Sequence, residues 1–286
     1  MVFQDGFTFV KKEVGEGLEF FFTKKKREAK KISRHCTLLV DQVTDFTMRG
    51  GKRTRAFLVW LGHETARESR VKSKTSQELL QTMMAIELFQ SFALIHDDII
   101  DQDSVRRGGP TVHEFFRIHA STHQRINPRK AQHFGTSMAI LAGDLALVWA
   151  DELMEKVKSQ ESRDKSEDIY QRMKQEVILG QSLDVLAAAG LPSADRATIN
   201  RYKTAWYSVI RPLQIGAAIA GADEKMIASF VPYGLVVGEA YQLRDDFLDG
   251  AISEEEFQKK AKKLVIPKSA TILLTEFARF VLTRQS

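Results

Sequence analysis

The sequence predicts an all-α protein. Only 6 prolines and 17 glycines occur among its 286 residues, and these are the residue types that most often interrupt a helix. Apolar residues recur three and four positions apart rather than two, which is the spacing of one helix face. A hydrophobic fraction of 43% with 28% charged residues is ordinary for a globular protein. We therefore expect one all-helical domain over residues 1–286 with a central active-site cavity.

Local signals mark the ends of several predicted helices. Thr75 and Ser76 precede Glu78 at one start, Pro128 lies near the first turn of another, and Asp195 follows a proline at a third. Gly190 is a typical stop after an apolar run. The predicted helices cover residues 15–47, 52–68, 76–103, 110–122, 129–159, 163–189, 195–221, 224–249 and 267–284.

Cysteine content and hydropathy indicate the compartment. Cys36 is the only cysteine, which excludes a disulfide framework or a zinc site and favours a reducing, cytoplasmic setting. The first residues lack the small-residue cleavage signal of a secretory leader. No uninterrupted apolar run approaches the roughly 20 residues needed to cross a bilayer, so we expect no transmembrane segment.

The formal charge of +5 and pI near 9.2 raise the question of nucleic-acid binding. The basic residues concentrate at 24–31 and 259–263, among residues compatible with a helix. No zinc-finger, RNP or helix-turn-helix signature accompanies them. We expect solvated helix faces and no nucleic-acid partner, although a basic surface also attracts small polyanionic substrates.

Two stretches carry the pattern Asp-Asp-x-x-Asp: LIHDDIIDQDSVRRGGPTVH (residues 94–113) and QLRDDFLD (residues 242–249). On a helix, the first and last aspartates of each motif lie on one face. Such a ladder of like charges needs a compensating partner. Oxygen ligands without His or Cys indicate Mg²⁺, which binds one or two carboxylates together with phosphate oxygens. The candidate ligands are Asp97, Asp98, Asp101, Asp245, Asp246 and Asp249.

A solvated acidic helix face is the alternative, since short acidic patterns are common. Two copies with apolar flanks, one followed by the basic turn RRGGP at residues 106–110, favour the metal site.

These stretches resemble the two aspartate-rich motifs of the trans-type isoprenyl diphosphate synthases, the short-chain polyprenyl synthetases. Further blocks resemble the same family in the same order: GGKRTR at 50–55, ILAGDLAL at 140–147, GQSLD at 180–184 and KTAWYSVIRPLQIGA at 203–217. The six blocks cover roughly residues 45–250. The resemblance implies a helical bundle of the isoprenoid synthase type and a homodimer.

The resemblance also implies an activity. Such an enzyme ionises an allylic diphosphate (dimethylallyl, geranyl or farnesyl), and the cation alkylates isopentenyl diphosphate before a proton is lost. About three Mg²⁺ ions per active site, held between the two ladders, would stabilise the leaving diphosphate. The resemblance makes Asp97, Asp101 and Asp245 the direct ligands.

Basic residues divide between two diphosphate sites. Lys52 and Arg55 lie three apart after the glycine pair and would face one way from a helix N-terminus. The resemblance assigns both, with Arg107 and Gln90, to isopentenyl diphosphate, and assigns Arg106 to the allylic diphosphate. A surface turn is the alternative role of the adjacent arginines.

The allylic cation requires partial negative charge that is not nucleophilic. Lys203 and Thr204 match the family's Lys-Thr kink, whose carbonyl and hydroxyl oxygens face the cation while the ammonium contacts diphosphate. Gln242, three residues before Asp245, supplies an amide oxygen. The resemblance makes the released diphosphate the proton acceptor. For His96 a packing or indirect role is favoured.

Product length is expected to depend on bulk before the first motif. Phe92, Ala93 and Phe89 lie five, four and eight residues before Asp97. In the family, one aromatic at the fifth position and none at the fourth indicates a longer pocket than the fifteen-carbon one. The first motif also lacks a two-residue insertion common in bacterial farnesyl enzymes. We expect geranylgeranyl diphosphate, with farnesyl diphosphate as the alternative and core packing as the alternative role of Phe92.

The chain departs from the family after Asp249. The family continues with GKxxGxDxxxGKxTLP, a loop that closes over the allylic diphosphate and contributes a lysine. This chain has GAISEEEFQKKAKKLVIPKSATILL, so we expect an atypical, shortened segment after about residue 250. The candidate replacements for that lysine are Lys259, Lys260, Lys262 and Lys268.

Two other functions are open. A terpene cyclase also uses DDxxD, but its second metal motif mixes Asn, Ser or Thr with Glu. A non-catalytic partner subunit of a prenyltransferase would tolerate the altered tail. Retention of all six aspartates favours the enzyme.

Overall fold

The structure, a computed structural model, describes residues 3–68, 76–123, 126–156, 160–267 and 271–283. Within these ranges the elements are helices apart from one pair of two-residue strands, so the all-α prediction is confirmed. The helices are α1 (Phe3–Ile32), α2 (Thr37–Met48), α3 (Thr54–Glu68), α4 (Ser76–Ile100), α5 (Val112–His123), α6 (Pro128–Met154), α7 (Gln160–Ala188), α8 (Arg196–Asn200), α9 (Arg211–Ile219), α10 (Glu224–Leu248), α11 (Glu254–Ala261) and α12 (Ile272–Thr283). The strands are β1 (Val105–Arg106) and β2 (Gly109–Pro110).

Contacts group the chain into two compact units. The amino-terminal unit comprises Phe9–Ala56 and Leu80–Lys156. The carboxyl-terminal unit comprises Met1–Thr8, Phe57–Leu79 and Val157–Ser286. The single domain with a central cavity stays a prediction.

The core of the amino-terminal unit includes one apolar face of α1. Val10, Val14 and Leu18 are fully buried at the four-residue spacing of a helix face. One turn later, the Phe21 ring lies 5.9 Å from the Trp149 ring of α6, in an edge-to-face arrangement. α1 is therefore fixed on α6 by its inner face.

Helix α4 passes the length and composition criteria for a membrane span over Gln77–Ile100, the one such helix in the described ranges. Of its most apolar window, 72% is buried inside the protein. The core helix of a globular protein has the same composition, so this finding is weak evidence for a span.

In the carboxyl-terminal unit, close helix contact depends on two glycines. A Cβ atom at Gly62 of α3 would overlap the backbone of Leu213, and one at Gly216 of α9 would overlap the backbone of Val59. Every residue of α9 is buried. This accounts for the glycine in the PLQIGA block: α3 and α9 approach more closely than a side chain permits.

Several predicted helix ends are confirmed. Asn127 caps α6 with Pro128 in its first turn, Asp195 caps α8, and Gly190 follows α7 with a φ of +69°. Thr75 lies outside the described residues.

Several predicted helices are wrong in extent, and α11 was not predicted. The helix predicted over 15–47 is two helices separated by a 3₁₀ turn at Arg34–Cys36. The helix predicted over 195–221 contains a π-helical segment at Arg201–Ile210. The helix predicted over 76–103 ends at Ile100, and the β1–β2 hairpin that follows was not predicted.

Candidate active site

The first aspartate motif lies where α4 ends. Asp97 and Asp98 belong to its last turn, and the N–H of Asp101 still donates to the carbonyl of Asp97 at 2.8 Å. The Asp98 side chain is buried, that of Asp97 is half-buried, and Asp101 is exposed. The helical spacing assumed from the sequence therefore extends through Asp101.

Arg106 is the counter-charge of this acidic ladder. Its Nε donates to Asp98 Oδ1, and its Nη2 donates to Asp103 Oδ2 at 3.0 Å and lies 3.9 Å from Asp97 Oδ2. Burial raises the pKa of Asp98 to about 6, against the opposing effect of the Arg106 hydrogen bond. The second oxygen of Asp98 is buried and has no hydrogen-bond partner among the described residues. Neither Asp103 nor this pairing was predicted.

A tight hairpin places Arg106. Arg106 of β1 pairs with Gly109 of β2, and the two turn residues between them, Arg107 and Gly108, have φ of +51° and +74°. Positive φ at both central residues defines a type I′ turn, whose twist matches antiparallel strands. Arg49 holds the hairpin by donating to the Pro110 carbonyl at 3.0 Å. A Cβ atom at Gly109 would collide with the Arg49 guanidinium, so any other residue there would displace this arginine.

The turn directs Arg107 away from the ladder. A Cβ atom placed at Gly51 would lie 3.6 Å from the Arg107 guanidinium, and Arg107 Nη1 donates to the Arg49 carbonyl at 3.3 Å. Burial of the guanidinium lowers the pKa of Arg107, and the like charges of Arg53 and Arg55 add to that decrease. Arg107 thus joins the GGKRTR segment, whereas Arg106 joins the aspartates.

The GGKRTR segment is fixed by an ion pair that sequence reasoning missed. Arg53, with a φ of +56°, donates to Glu87 Oε2 at 2.9 Å and to the Thr47 carbonyl at 2.8 Å. The other Glu87 oxygen accepts from the N–H of Ala56 at 3.3 Å, in the first turn of α3. Both side chains are buried. A buried charge requires a partner of opposite charge. Arg53 and Glu87 could therefore have been predicted to pair only if their burial had been known.

The other predicted residues of the isopentenyl site lie within three residues of Arg53 or Glu87 in the sequence. α3 begins at Thr54, so Lys52 precedes the helix and is exposed, while Arg55 lies in the first turn and is half-buried. Gln90 is buried on α4, one turn after Glu87. The structure brings Arg107 to this segment, and the roles of Lys52, Arg55 and Gln90 stay predictions.

The second aspartate motif lies at the end of α10. Asp245 and Asp246 are half-buried, and Asp249 is the exposed C-cap. Gln242 Nε2 donates to Asp246 Oδ1 at 2.6 Å. Gly250, with a φ of +74°, ends the helix, while the Ala251 N–H donates to the Asp246 carbonyl. This is the Schellman stop expected where a glycine follows a helix.

Lys203 and Thr204 belong to the π-helical segment in the same unit. Asp184 of the GQSLD block accepts from Lys203 Nζ at 2.5 Å and from Arg196 Nη1 at 2.6 Å. Partial burial raises the pKa of Asp184, but the hydrogen bonds from both cations outweigh it and hold that pKa below its usual value. A Cβ atom at Gly180 would press on Tyr202 and Lys203. Gly180 and Asp184, one turn apart on α7, thus seat the lysine.

Comparison with known proteins places these blocks in one family. The sequence profile of the polyprenyl synthetase family matches residues 37–278. The chain belongs to the polyprenyl synthetase family.

Relatives within the polyprenyl synthetase family differ in product. The geranylgeranyl diphosphate synthase of Methanosarcina mazei is 29% identical over 81% of this chain and 65% of its own length. The farnesyl diphosphate synthase of Geobacillus stearothermophilus is 30% identical over 73% of this chain and 65% of its own length. The chain thus spans just under two thirds of the length of both relatives.

A solved polyprenyl synthetase fold covers nearly the whole chain. The crystal structure of geranylgeranyl pyrophosphate synthase from Corynebacterium glutamicum, complexed with isoprenyl diphosphate and magnesium, superposes with a TM-score of 0.77. It is 29% identical and covers 98% of this chain and 87% of its own. The isoprenoid synthase type of bundle predicted from the motifs is therefore confirmed.

The side chains before the first motif form an aromatic cluster. The Phe92 ring lies 5.3 Å from the Phe89 ring and 4.8 Å from the His96 ring. His96 Nε2 lies 3.2 Å from the Ile140 carbonyl, and a Cβ atom at Gly143 would overlap the imidazole. His96 therefore packs on α6, as expected, and the glycine of the ILAGDLAL block makes the room. Ala93 is half-buried.

The segment after residue 250, predicted to be atypical, folds back on α10. Phe257 of α11 is buried, and its ring lies 4.9 Å from the Phe247 ring. The Arg244 guanidinium lies 5.0 Å from the Phe247 ring centre and 5.4 Å from that of Phe257. Lys260 pairs with Glu256 at 2.7 Å. Lys259 and Lys262 are exposed, and Lys268 lies outside the described residues.

The donor set fits Mg²⁺. Each ladder offers carboxylate oxygens alone, and the buried Asp98 oxygen lacks a hydrogen bond within the described chain. No three His, Cys, Asp or Glu side chains converge in the described ranges to form a complete cage. Mg²⁺ does not require one, because it binds through one or two carboxylates and takes its other ligands from water and substrate phosphate.

Proposed function

We propose that the chain is a Mg²⁺-dependent trans-prenyltransferase that joins isopentenyl diphosphate head-to-tail to an allylic diphosphate and releases diphosphate. One observation carries the proposal: Arg106 lies on the acidic ladder while its neighbour Arg107 lies over the GGKRTR segment. An enzyme that condenses two diphosphates needs two anion sites in register. The planar fork of arginine suits phosphate oxygens in both.

The acidic ladders would hold the metal. Asp97, Asp101 and Asp245 are the proposed direct ligands, with Asp98, Asp246 and Asp249 beside them, for about three Mg²⁺ per active site. The bound metal supplies electrostatic stabilisation of the departing diphosphate. Arg106, already held at the ladder by Asp98 and Asp103, is poised to donate to the allylic diphosphate.

The isopentenyl diphosphate would bind at the basic cluster of Lys52, Arg55 and Arg107, with Gln90 beside it. The Arg53–Glu87 pair contacts no substrate in this proposal. It fixes the loop, so that the neighbouring side chains are pre-positioned.

The allylic cation would be stabilised by the π-helical segment. π-Helical turns are rare in proteins overall, and those that occur are often found at functional sites. We place the carbonyl and hydroxyl oxygens of the Lys203–Thr204 kink and the amide oxygen of Gln242 towards the cation. The Lys203 ammonium, now held by Asp184, is placed towards diphosphate. Gln242 donates through its amide nitrogen to Asp246, which leaves the amide oxygen for this role.

The proposed product is geranylgeranyl diphosphate, with farnesyl diphosphate as the alternative. Phe92 followed by Ala93 supports the longer, twenty-carbon product. Of the fourth and fifth positions before Asp97, only the fifth carries an aromatic ring, so less bulk obstructs the growing chain. The Phe92 ring is packed by the rings of Phe89 and His96.

We further propose a cytoplasmic homodimer. The single, unpaired Cys36 supports the reducing compartment. Phe134, Leu141 and Val148 of α6 are exposed at seven-residue intervals, which places them on one helix face. A second copy of this chain would cover this stripe.

Product chromatography tests the activity. The purified protein is incubated with Mg²⁺, labelled isopentenyl diphosphate and, separately, dimethylallyl, geranyl or farnesyl diphosphate. The expected result is a twenty-carbon prenyl diphosphate that disappears with EDTA. Folded protein that extends no primer would contradict the proposal and favour the alternative function, a non-catalytic partner subunit of a prenyltransferase. Release of a hydrocarbon in the absence of isopentenyl diphosphate would indicate a terpene cyclase.

A further inference from the structure

The positive charge of the chain is concentrated in sixteen residues. Residues 20–35, at the end of α1 and the turn after it, contain seven Lys or Arg and one Glu. Their formal charge of +6 exceeds the +5 of the whole chain, so the remainder carries −1. The chain thus has two basic runs, of which residues 20–35 carry the larger charge and residues 259–263 the smaller.

The structure orients this region outward. The inner face of α1 is fixed by Leu18 and Phe21, which are buried. The opposite face carries Phe20, Lys24, Arg27 and Lys31, at spacings of four, three and four residues, all of them exposed. These four side chains therefore form one stripe along about 17 Å of helix.

Most of the charge in the stripe is not neutralised. Within the stripe, Lys24 lies 3.7 Å from Glu28. Beside the stripe, Lys26 pairs with Asp41 at 2.6 Å, and Lys25 pairs with Glu28 and Glu152. In contrast, Arg27, Lys30 and Lys31 form no ion pair with any described residue.

Large apolar side chains flank the charge. Phe20 is 78% exposed and Ile32 is 82% exposed, among the highest values for large apolar residues in the described ranges. A single exposed apolar residue needs no explanation. Phe20 lies at one end of the stripe, and Ile32, the last residue of α1, directly follows Lys31 at the other end. Exposed apolar side chains next to cations that lack ion pairs among the described residues form the pattern of a surface that lies on a bilayer, with cations at the headgroups and apolar side chains below them.

We propose that the basic end of α1 together with the turn after it, namely Phe20, Lys24, Arg27, Lys31, Ile32 and Arg34, binds the surface of an anionic lipid bilayer. Charge complementarity selects the anionic headgroups, and the two apolar side chains favour a bilayer over a nucleic acid, whose backbone offers no apolar layer for Ile32. The surface is a convex helix face, so it does not enclose a small anion. If the proposed function holds, a twenty-carbon product would be released beside the membrane into which it partitions.

Vesicle co-sedimentation of the full chain tests the proposal without reference to turnover. Phosphatidylcholine vesicles are compared with vesicles containing roughly one third phosphatidylserine, at low and high salt. Binding is expected only to the anionic vesicles and is expected to fall with salt. Each basic residue near such a surface contributes about fivefold in affinity, so the triple variant Lys24→Gln, Arg27→Gln, Lys31→Gln is expected to lose about a hundredfold.

The apolar contribution is tested by the double variant Phe20→Ser, Ile32→Ser, which is expected to weaken binding about tenfold with the salt dependence retained. The matched control is the triple variant Lys259→Gln, Lys262→Gln, Lys263→Gln, which removes three exposed cations from the other basic run and is expected to bind as the unaltered chain does. Equal loss in both triple variants would show that net charge alone is responsible. Absence of vesicle binding, or salt-sensitive binding to a single-stranded RNA in its place, would overturn the proposal, whether or not the protein makes a prenyl diphosphate.

Discussion

Arg106 and Arg107 are neighbours in the chain, but their guanidinium groups lie in different places. Arg107 occupies a left-handed conformation, φ +51°, in a two-residue turn. That conformation is uncommon for a residue with a side chain and costs free energy. Here it separates one arginine at the aspartates from one at Gly51. The strain therefore accompanies the separation of the two proposed anion sites.

Exchange of each arginine for lysine tests this separation. Lysine keeps the charge but loses the two-pronged hydrogen bonding to phosphate. We expect Arg107→Lys to raise KM for isopentenyl diphosphate about tenfold, equivalent to about 1.4 kcal/mol, with little change in KM for the allylic substrate. Arg106→Lys should do the reverse, so each variant is the control for the other. The measurement is steady-state kinetics with each substrate varied in turn. An increase in the KM for the same substrate in both variants would contradict the assignment of the two arginines to different diphosphates.

Phe92 connects packing to product length. Its ring contacts Phe89 and His96 and is almost fully buried. We expect Phe92→Ala to lengthen the product by at least one five-carbon unit, because it removes the bulk before the first motif. It should also cost about 3–5 kcal/mol of stability. Phe92→Leu, which keeps most of the volume, is the control. An unchanged product profile from folded Phe92→Ala protein would leave Phe92 a core residue only.

Among the secondary-structure elements, the π-helical segment is one that the sequence did not predict. The apolar spacing of residues 195–221 indicated one α-helix, and α8 and α9 lie within it as expected. A local change from four- to five-residue hydrogen bonding over Arg201–Ile210 alters the pattern too little for periodicity to detect. Asp184 illustrates the same limit, because its partners Lys203 and Arg196 are distant in the chain.

The aspartate ladders were predicted from spacing alone, because four residues is one helical turn. The hairpin after α4 was not, since an Arg-Gly turn is not among the residue pairs that favour type I′. The Arg53–Glu87 pair was also not predicted: both residues are charged, and the sequence does not show that they are buried.

The Asp184–Lys203 ion pair, which joins α7 to the π-helical segment, should make the free energy of unfolding depend on pH. The pKa of Asp184 is lower in the folded state than in the unfolded chain. Its stabilisation is therefore complete above the unfolded value of about 3.9 and is lost as the pH falls through the folded value. We expect Asp184→Asn to reduce the free energy of unfolding at pH 7 by about 0.5–1 kcal/mol, a range suited to a partly exposed pair.

Urea unfolding of Asp184→Asn at neutral and acidic pH provides the measurement. The difference from the unaltered chain should shrink as Asp184 becomes protonated. Glu19→Gln, which removes an exposed carboxylate with no ion pair among the described residues, is the control and should stay within a few tenths of a kcal/mol. A difference that is constant with pH would show that the ion pair does not stabilise the fold.

At the scale of the whole molecule, the exposed stripe on α6 predicts the oligomeric state. Leu141 is 52% exposed and lies between Phe134 and Val148 on that face. We expect Leu141→Glu to convert the dimer to a monomer in light scattering, because a charge buried in an apolar interface has no partner. Gln132→Glu, exposed on the other side of α6, adds the same charge and should leave the dimer intact. A monomeric unaltered chain would refute the proposed dimer.

The aspartate ladders are proposed to stabilise the departing diphosphate rather than to increase substrate affinity. Single-turnover kinetics with Asp97→Asn and Asp245→Asn, alongside equilibrium binding of the allylic diphosphate, tests this claim most directly. Electrostatic stabilisation of a leaving group predicts a fall of about a hundredfold to a thousandfold in the rate of condensation, with affinity changed by less than about tenfold. A large loss of affinity with an unchanged rate in bound complexes would contradict the claim and assign the carboxylates to binding alone.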